Sequence, residues 1–171
     1  MALIKTVKGI KPLLGRNCFL AENATITGDV ILGDDCSIWF NAVVRGDVDS
    51  IRIGNNVNIQ DGVIIHCTYQ KAPVTIGNNV SIAHNAIIHG CTIHDNVLIG
   101  MGAIVMDGAI IQSNSIIGAG AVVKEGTVVE SGTVWAGIPA VKIKDIDQGL
   151  LEGQVNRISK NYSMYASWYD E

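Results

Sequence analysis

Three histidines carry the chemistry this sequence offers. His66 and His89 each directly follow an aliphatic residue, Ile65 and Ile88, and His84 stands two positions after Ile82. Neutral imidazole is a common ligand for zinc and neighbouring transition metals. Three imidazoles around one ion leave a fourth position open, where water ionises near neutral pH. The fourth histidine, His94, has no partner at matching spacing. Four histidines in 171 residues is no enrichment. Spacing alone therefore leaves a metal site and ordinary surface histidines both open.

The elements that must position them follow from a repeat. An aliphatic residue recurs about every six positions, as Leu20, Ile26, Leu32, Ile38 and Val44, then Ile53, Ile59 and Ile65. It continues as Ile76, Ile82 and Ile88, and from Ile93 through Ile99, Val105, Ile111, Ile117 and Val123 to Val129. Each unit reads as one short strand and a turn. The large side chain points inward, and a small or β-branched residue four positions on, such as Ala24, Val57 or Ala103, fills the corner. Three units close a triangular coil of about 18 residues, and coils stack about 4.8 Å apart, each burying its face only against its neighbours. The sequence thus predicts an all-β parallel β-helix.

Three departures interrupt the period. Val44 to Ile53 spans nine positions, Ile65 to Ile76 eleven, and Ile88 to Ile93 five. The two long ones are expected as outward loops, at 46–50 and 67–73. Within this frame Ile65 and Ile88 lie one full coil apart, so His66 and His89 share a column, with Arg45 one coil before them. His84 belongs to another side of the triangle. If His66 and His89 hold an ion, His84 is expected to reach it only from a neighbouring chain, and a closed trimer suits a triangular prism.

The periodicity ends near Trp135, and Gly137-Ile138-Pro139-Ala140 breaks it. Residues 1–140 are expected as the β-helix domain. Residues 141–171 are expected as a linker and an amphipathic helix, with Leu150, Leu151, Val155, Ile158, Tyr162 and Tyr165 at helical spacing, folded back to cover apolar surface.

Composition narrows the setting. A net charge of -4 with no long run of either sign argues against nucleic acid or an anionic membrane as partner. No apolar stretch reads as a signal peptide or a membrane span, so the cytoplasm is the expected location. Cys18, Cys36, Cys67 and Cys91 show no CxxC spacing and are expected as buried thiols.

Longer strings carry a family resemblance. Arg45-Gly46-Asp47, then Asn58-Ile59-Gln60-Asp61 followed by His66, then His84-Asn85-Ala86-Ile87-Ile88-His89-Gly90 resemble the marks of the γ-class carbonic anhydrases and their close relatives. The resemblance covers nearly the whole chain, including the 137–140 exit and a C-terminal helix. It implies a left-handed coil, a homotrimer, and a divalent metal held by His66, His84 and His89. Zinc is the expected ion, and Fe2+ or Co2+ suits the same imidazoles. The implied reaction is reversible hydration of CO2 to bicarbonate. By the same resemblance Arg45 and Asp47 match a charged pair at the subunit interface, and Asp61 matches a structural acid of the same interface network. Asn58 and Gln60 match polar groups lining the site, and Tyr162 matches a tyrosine near it.

Two departures bear on rate. Val48 stands where active members carry a glutamate, and the 67–73 segment holds no acid where they carry an acidic, proton-passing loop. Slow turnover is the expectation. Two other functions fit the same resemblance: an acyl-CoA thioesterase or acyltransferase, and a non-catalytic metal-binding trimer. The short loops count against an acyltransferase of the kind that carries its catalytic histidine on a large loop.

Overall fold

Short strands stack in register into three columns, as the six-residue period requires. The computed structural model describes residues 1–169, so Asp170 and Glu171 of the expected C-terminal segment lie outside the described residues. In the first column Val44, Ile65, Ile88, Val105 and Val123 align. In the second, Ile53, Ile76, Ile93, Ile111 and Val129 align. In the third, Leu20, Ile38, Ile59, Ile82, Ile99, Ile117 and Trp135 align. All these pairs are parallel, so the chain is a parallel β-helix. The columns' inward isoleucines are buried almost completely. Each is worth about 2–5 kcal/mol against alanine, and they form one continuous core with the corner valines and alanines.

The corners are built by a device the aliphatic pattern does not display. Asn41, Asn56, Asn79, Asn85, Asn96 and Asn114 all have positive φ, which asparagine tolerates better than other residues with a Cβ. Some of their side chains also bond up the stack, as from Asn56 Nδ2 to Asn79 Oδ1 at 2.8 Å.

Residues 46–50 do not form a free outward loop. They lie within one long strand, Val43–Ile53, which pairs with Thr25–Leu32 and carries the chain from the first column to the second. Gly28 pairs with Gly46 and Val30 with Ile51, so the additional residues bulge opposite Asp29. The bulge holds Val48 against the core. The 67–73 segment does leave the coil, and a Thr68–Ala72 bridge closes it.

The stretch expected as a linker after Ala140 is a strand. Val141–Asp145 pairs antiparallel with Thr133–Ala136 and finishes the third face, which no further coil covers. The helix that follows is not uniform. One α-turn, Gln148–Leu150, capped by the Asp147 carboxylate, leads into a π-helical turn, Leu151–Asn156, and then α-helix Arg157–Ser167. Gly153 lies in the π-turn, where its low helix propensity makes the widened backbone inexpensive. Val155 is fully buried against Leu98 and Ile116 of the third face, with Leu150, Leu151 and Ile158 packed around them. The helix therefore covers the third face. No helix among the described residues is long and apolar enough to cross a membrane. All four cysteines are free thiols, and only Cys18 is partly exposed.

Candidate metal centre

His66 and His89 pair directly across adjacent strands. Their imidazoles face each other, His66 Nδ1 lying 3.2 Å from His89 Nε2. The outer nitrogen of each ring meets a carboxylate. His66 Nε2 is 3.1 Å from Asp47 Oδ1, and His89 Nδ1 is 2.5 Å from Asp107 Oδ1. Burial pushes both carboxyls up. Hydrogen bonds outweigh it and hold them below the usual range, from Arg45 and His66 on Asp47, and from Thr68 and His89 on Asp107.

Those partners fix where the protons sit. An ionised carboxylate only accepts hydrogen bonds, so His66 Nε2 and His89 Nδ1 carry the N–H groups. The two facing nitrogens then both present lone pairs at 3.2 Å, which repel unless a cation lies between them. A proton would serve only by making one ring an imidazolium. Burial, with Arg45 close by, lowers the His66 pKa despite the raising effect of Asp47, which opposes that solution. Two nitrogens each about 2.0–2.1 Å from a tetrahedral ion lie roughly 3.3 Å apart. The donor set and its spacing therefore fit a divalent metal.

Arg45 sits in the same column one coil earlier, and its Nη1 donates to Asp47 Oδ2 at 2.7 Å. The expected charged pair thus forms within one chain.

His84 lies elsewhere, on the corner beside the third face. Its Nδ1 is 2.9 Å from Asp61 Oδ2, and its Nε2 is 3.3 Å from the Tyr162 hydroxyl. Burial, then Asp61, pushes the Tyr162 pKa up to about 12, so the phenol keeps its proton and donates it to Nε2. The ring of Trp39 positions Tyr162 edge-on, at 5.2 Å between centroids. Gln60 and Asn58 belong to this corner too, both buried. Gln60 Nε2 donates to Asn58 Oδ1 at 2.9 Å, and Asn58 Nδ2 donates to Ser81 Oγ at 2.7 Å. Gln60, His84 and Tyr162 border a cleft of ≈ 370 Å³ between helix and β-helix, with Leu98, Met101, Ile158 and Arg157 also lining it.

One chain therefore holds two separate clusters. Among its described residues no three His, Cys, Asp or Glu side chains converge to hold a metal. The structure brings His66, His89, Arg45 and Asp47 together at one corner, and His84, Asp61, Asn58, Gln60 and Tyr162 at another. His94 is exposed. Sequence reasoning missed Asp107 and Thr68. Asp107 lies 18 residues after His89, one coil on, and that spacing was the available signal.

A stack of six-residue coils with histidines at its corners defines a class, and the comparisons agree with it. The family described as "Bacterial transferase hexapeptide (six repeats)" matches residues 11–46 and 90–125. A carbonic anhydrase from Geobacillus kaustophilus is 40% identical over 167 residues, covering 98% of this chain and 91% of that protein. Gamma carbonic anhydrase 2, mitochondrial, from Arabidopsis thaliana is 38% identical over 88% of this chain, which spans 56% of that longer protein. A crystal structure from Bacillus cereus, described as a candidate acetyltransferase, superposes with a TM-score of 0.95 at 38% identity, covering 98% of this chain and 96% of that one. The chain belongs to the γ-class carbonic anhydrase-like family of hexapeptide-repeat proteins.

Proposed function

We propose that this chain is a carbonic anhydrase-like enzyme that interconverts CO2 and bicarbonate at a metal held between subunits of a homotrimer. The observation that carries the reading is the 3.2 Å approach of His66 Nδ1 to His89 Nε2, with the other nitrogen of each ring against a carboxylate. His84 of a neighbouring chain supplies the third imidazole. With Nδ1 donating to Asp61, its Nε2 is the acceptor nitrogen, which the Tyr162 hydroxyl occupies within one chain and which that hydroxyl would release to a metal by turning away. A divalent ion, zinc in the first instance, supplies a Lewis acid that makes hydroxide available near neutral pH.

The chain's own residues do the rest. Asp61 and Tyr162 orient His84. Asn58, anchored on Ser81, fixes Gln60, whose amide borders the cleft and is placed to hydrogen-bond the oxygens of bicarbonate. The trimer reading also rests on the outward side of the first column. Ile64 and Ile87 are each 38% exposed there, next to His66 and His89, and Ile104 and Val122 continue the strip. Such a strip beside a half-formed site suits a subunit interface. Arg45 and Asp47 lie at its edge. Free thiols suit a reducing cytoplasm.

A second reading takes its support from the cleft beside His84, whose apolar lining has room for an acyl group. There the same centre would hydrolyse or transfer an acyl thioester. Light scattering of the metal-loaded protein, with CO2 hydration and thioester hydrolysis assayed side by side, tests these readings. We expect a mass near three times 18.2 kDa and CO2 hydration that a chelator abolishes. A metal-loaded monomer would overturn the shared site. Thioester hydrolysis without CO2 hydration would replace the first reaction by the second, and a metal-loaded trimer inactive in both assays would leave a non-catalytic metal-binding protein.

A further inference from the structure

The acid-free segment 67–73 departs from the repeat by the largest insertion in the chain, and its Thr68 makes a contact that no part of the reaction above uses. Thr68 Oγ1 donates to Asp107 Oδ2 at 2.5 Å, while Asp107 Oδ1 accepts from His89 Nδ1. Both carboxylate oxygens are thus engaged, and the side chain is 19% exposed. Asp107 reaches this position because of Gly90, the residue stacked over it. A Cβ at Gly90 would lie 2.5 Å from Asp107 Oδ1 and 2.7 Å from the Cβ of Ala72, which belongs to the same inserted segment. Gly90 also has a φ of +53°, a conformation that side chains other than asparagine and aspartate resist. The insertion, the glycine and the carboxylate therefore form one unit around the His89 ring.

We infer that Asp107, clamped by Thr68, is a positioning residue that holds His89 in its Nδ1–H tautomer with Nε2 turned toward His66. The inference rests on the metal reading above only for its consequence. A neutral imidazole divides its proton between two nitrogens, and ring flips exchange them. A carboxylate fixed at both oxygens selects one tautomer and one ring orientation, so the ligand lone pair is aimed before metal arrives. Carboxylates that hold ligand histidines this way are worth about 10–100-fold in metal affinity. The inserted segment then serves to anchor the site, in place of passing protons. Asp47 holds His66 in the complementary sense, by Nε2, so one step of the stack presents an Nδ1 and an Nε2 donor face to face.

The test reads the tautomer and the metal separately. Nitrogen-15 NMR of metal-free wild-type protein should show His89 with its proton on Nδ1. Asp107→Ala should give a mixture of tautomers and lower zinc affinity by about 10–100-fold in chelator competition. Its far-UV circular dichroism should match wild type. Asp107→Asn keeps an acceptor oxygen and should restore the Nδ1–H tautomer in part. Thr68→Val, nearly isosteric, should shift both readouts the same way by less. An unchanged His89 tautomer in Asp107→Ala would overturn the inference, as would Asp107→Asn behaving no better than Asp107→Ala. A wild-type protein that binds no divalent metal would instead sink the metal reading, and the tautomer populations would still decide the role of Asp107.

Discussion

On the proposed site, His66→Ala, His84→Ala and His89→Ala should each lose most bound metal and all metal-dependent activity, while His94→Ala should lose neither. The reason is ligand count. Removing any one imidazole leaves two protein ligands, fewer than catalytic zinc sites use. The structure adds a signature that separates this from unfolding. Deleting either ring removes only its contacts with the other imidazole and with one carboxylate, none of them in the hydrophobic core. The metal-free melting temperatures of these variants should stay within a few degrees of metal-free wild type, a shift of about 1 kcal/mol or less. His84 and His66 are both partly exposed, at 40% and 17% of their side chains, so neither truncation opens a sealed core cavity. Elemental analysis alongside thermal melts checks this. Full metal content in any of the three would remove that residue from the site.

The second large effect concerns protons. Each hydration of CO2 must pass one proton from the site to solvent, and the two positions where the family resemblance expects an acidic carrier hold none. Val48 packs on the core, where the family resemblance expects a glutamate. Thr68 is engaged with Asp107, and the rest of 67–73 holds no acid. Tyr162 is close to His84, but burial and Asp61 push its pKa up to about 12, so at neutral pH it cannot take up the proton that is released. CO2 hydration should therefore be slow in dilute buffer and rise at least about tenfold with added imidazole, a small base that can enter the site and replace the missing relay. Stopped-flow rates across a buffer series would show it. High activity indifferent to buffer would mean that a group not identified here carries the proton.

The sequence made part of this arrangement readable because the repeat is a ruler. Once Ile65 and Ile88 are one coil apart, His66 and His89 must pair, and the observed register has them as direct partners. The same ruler set His84 on a different side of the triangle, where the structure pairs it with Asp61 at 2.9 Å. Other features escaped because they reside in outward or irregular residues that the aliphatic period does not constrain. Asp107 stands in a turn before Gly108, and only its contact with His89 reveals its role. The bulge at 46–50 depends on how the Val43–Ile53 strand pairs with Thr25–Leu32, which no local pattern in either segment displays. Val141–Asp145 reads as a linker because it is exposed along its whole length, yet its backbone finishes the third sheet. The π-turn at Leu151–Asn156 carries Val155 onto Leu98 and Ile116, a tertiary contact that helical spacing alone does not express.

The claim on which all of this depends is that two ligands come from one chain and the third from its neighbour. Mixed trimers test it directly. Chains carrying His84→Ala and chains carrying His66→Ala are unfolded together, refolded and loaded with zinc, and trimers containing both are isolated by differential tags. Neither parent should hold metal. In a mixed trimer, some interfaces join an intact His66–His89 pair to an intact His84 from the next chain, so part of the metal and activity should return. Mixing His66→Ala with His89→Ala chains should return none, because those two imidazoles pair within one chain. Metal regained in the second mixture, or none regained in isolated mixed trimers of the first, would contradict the shared site.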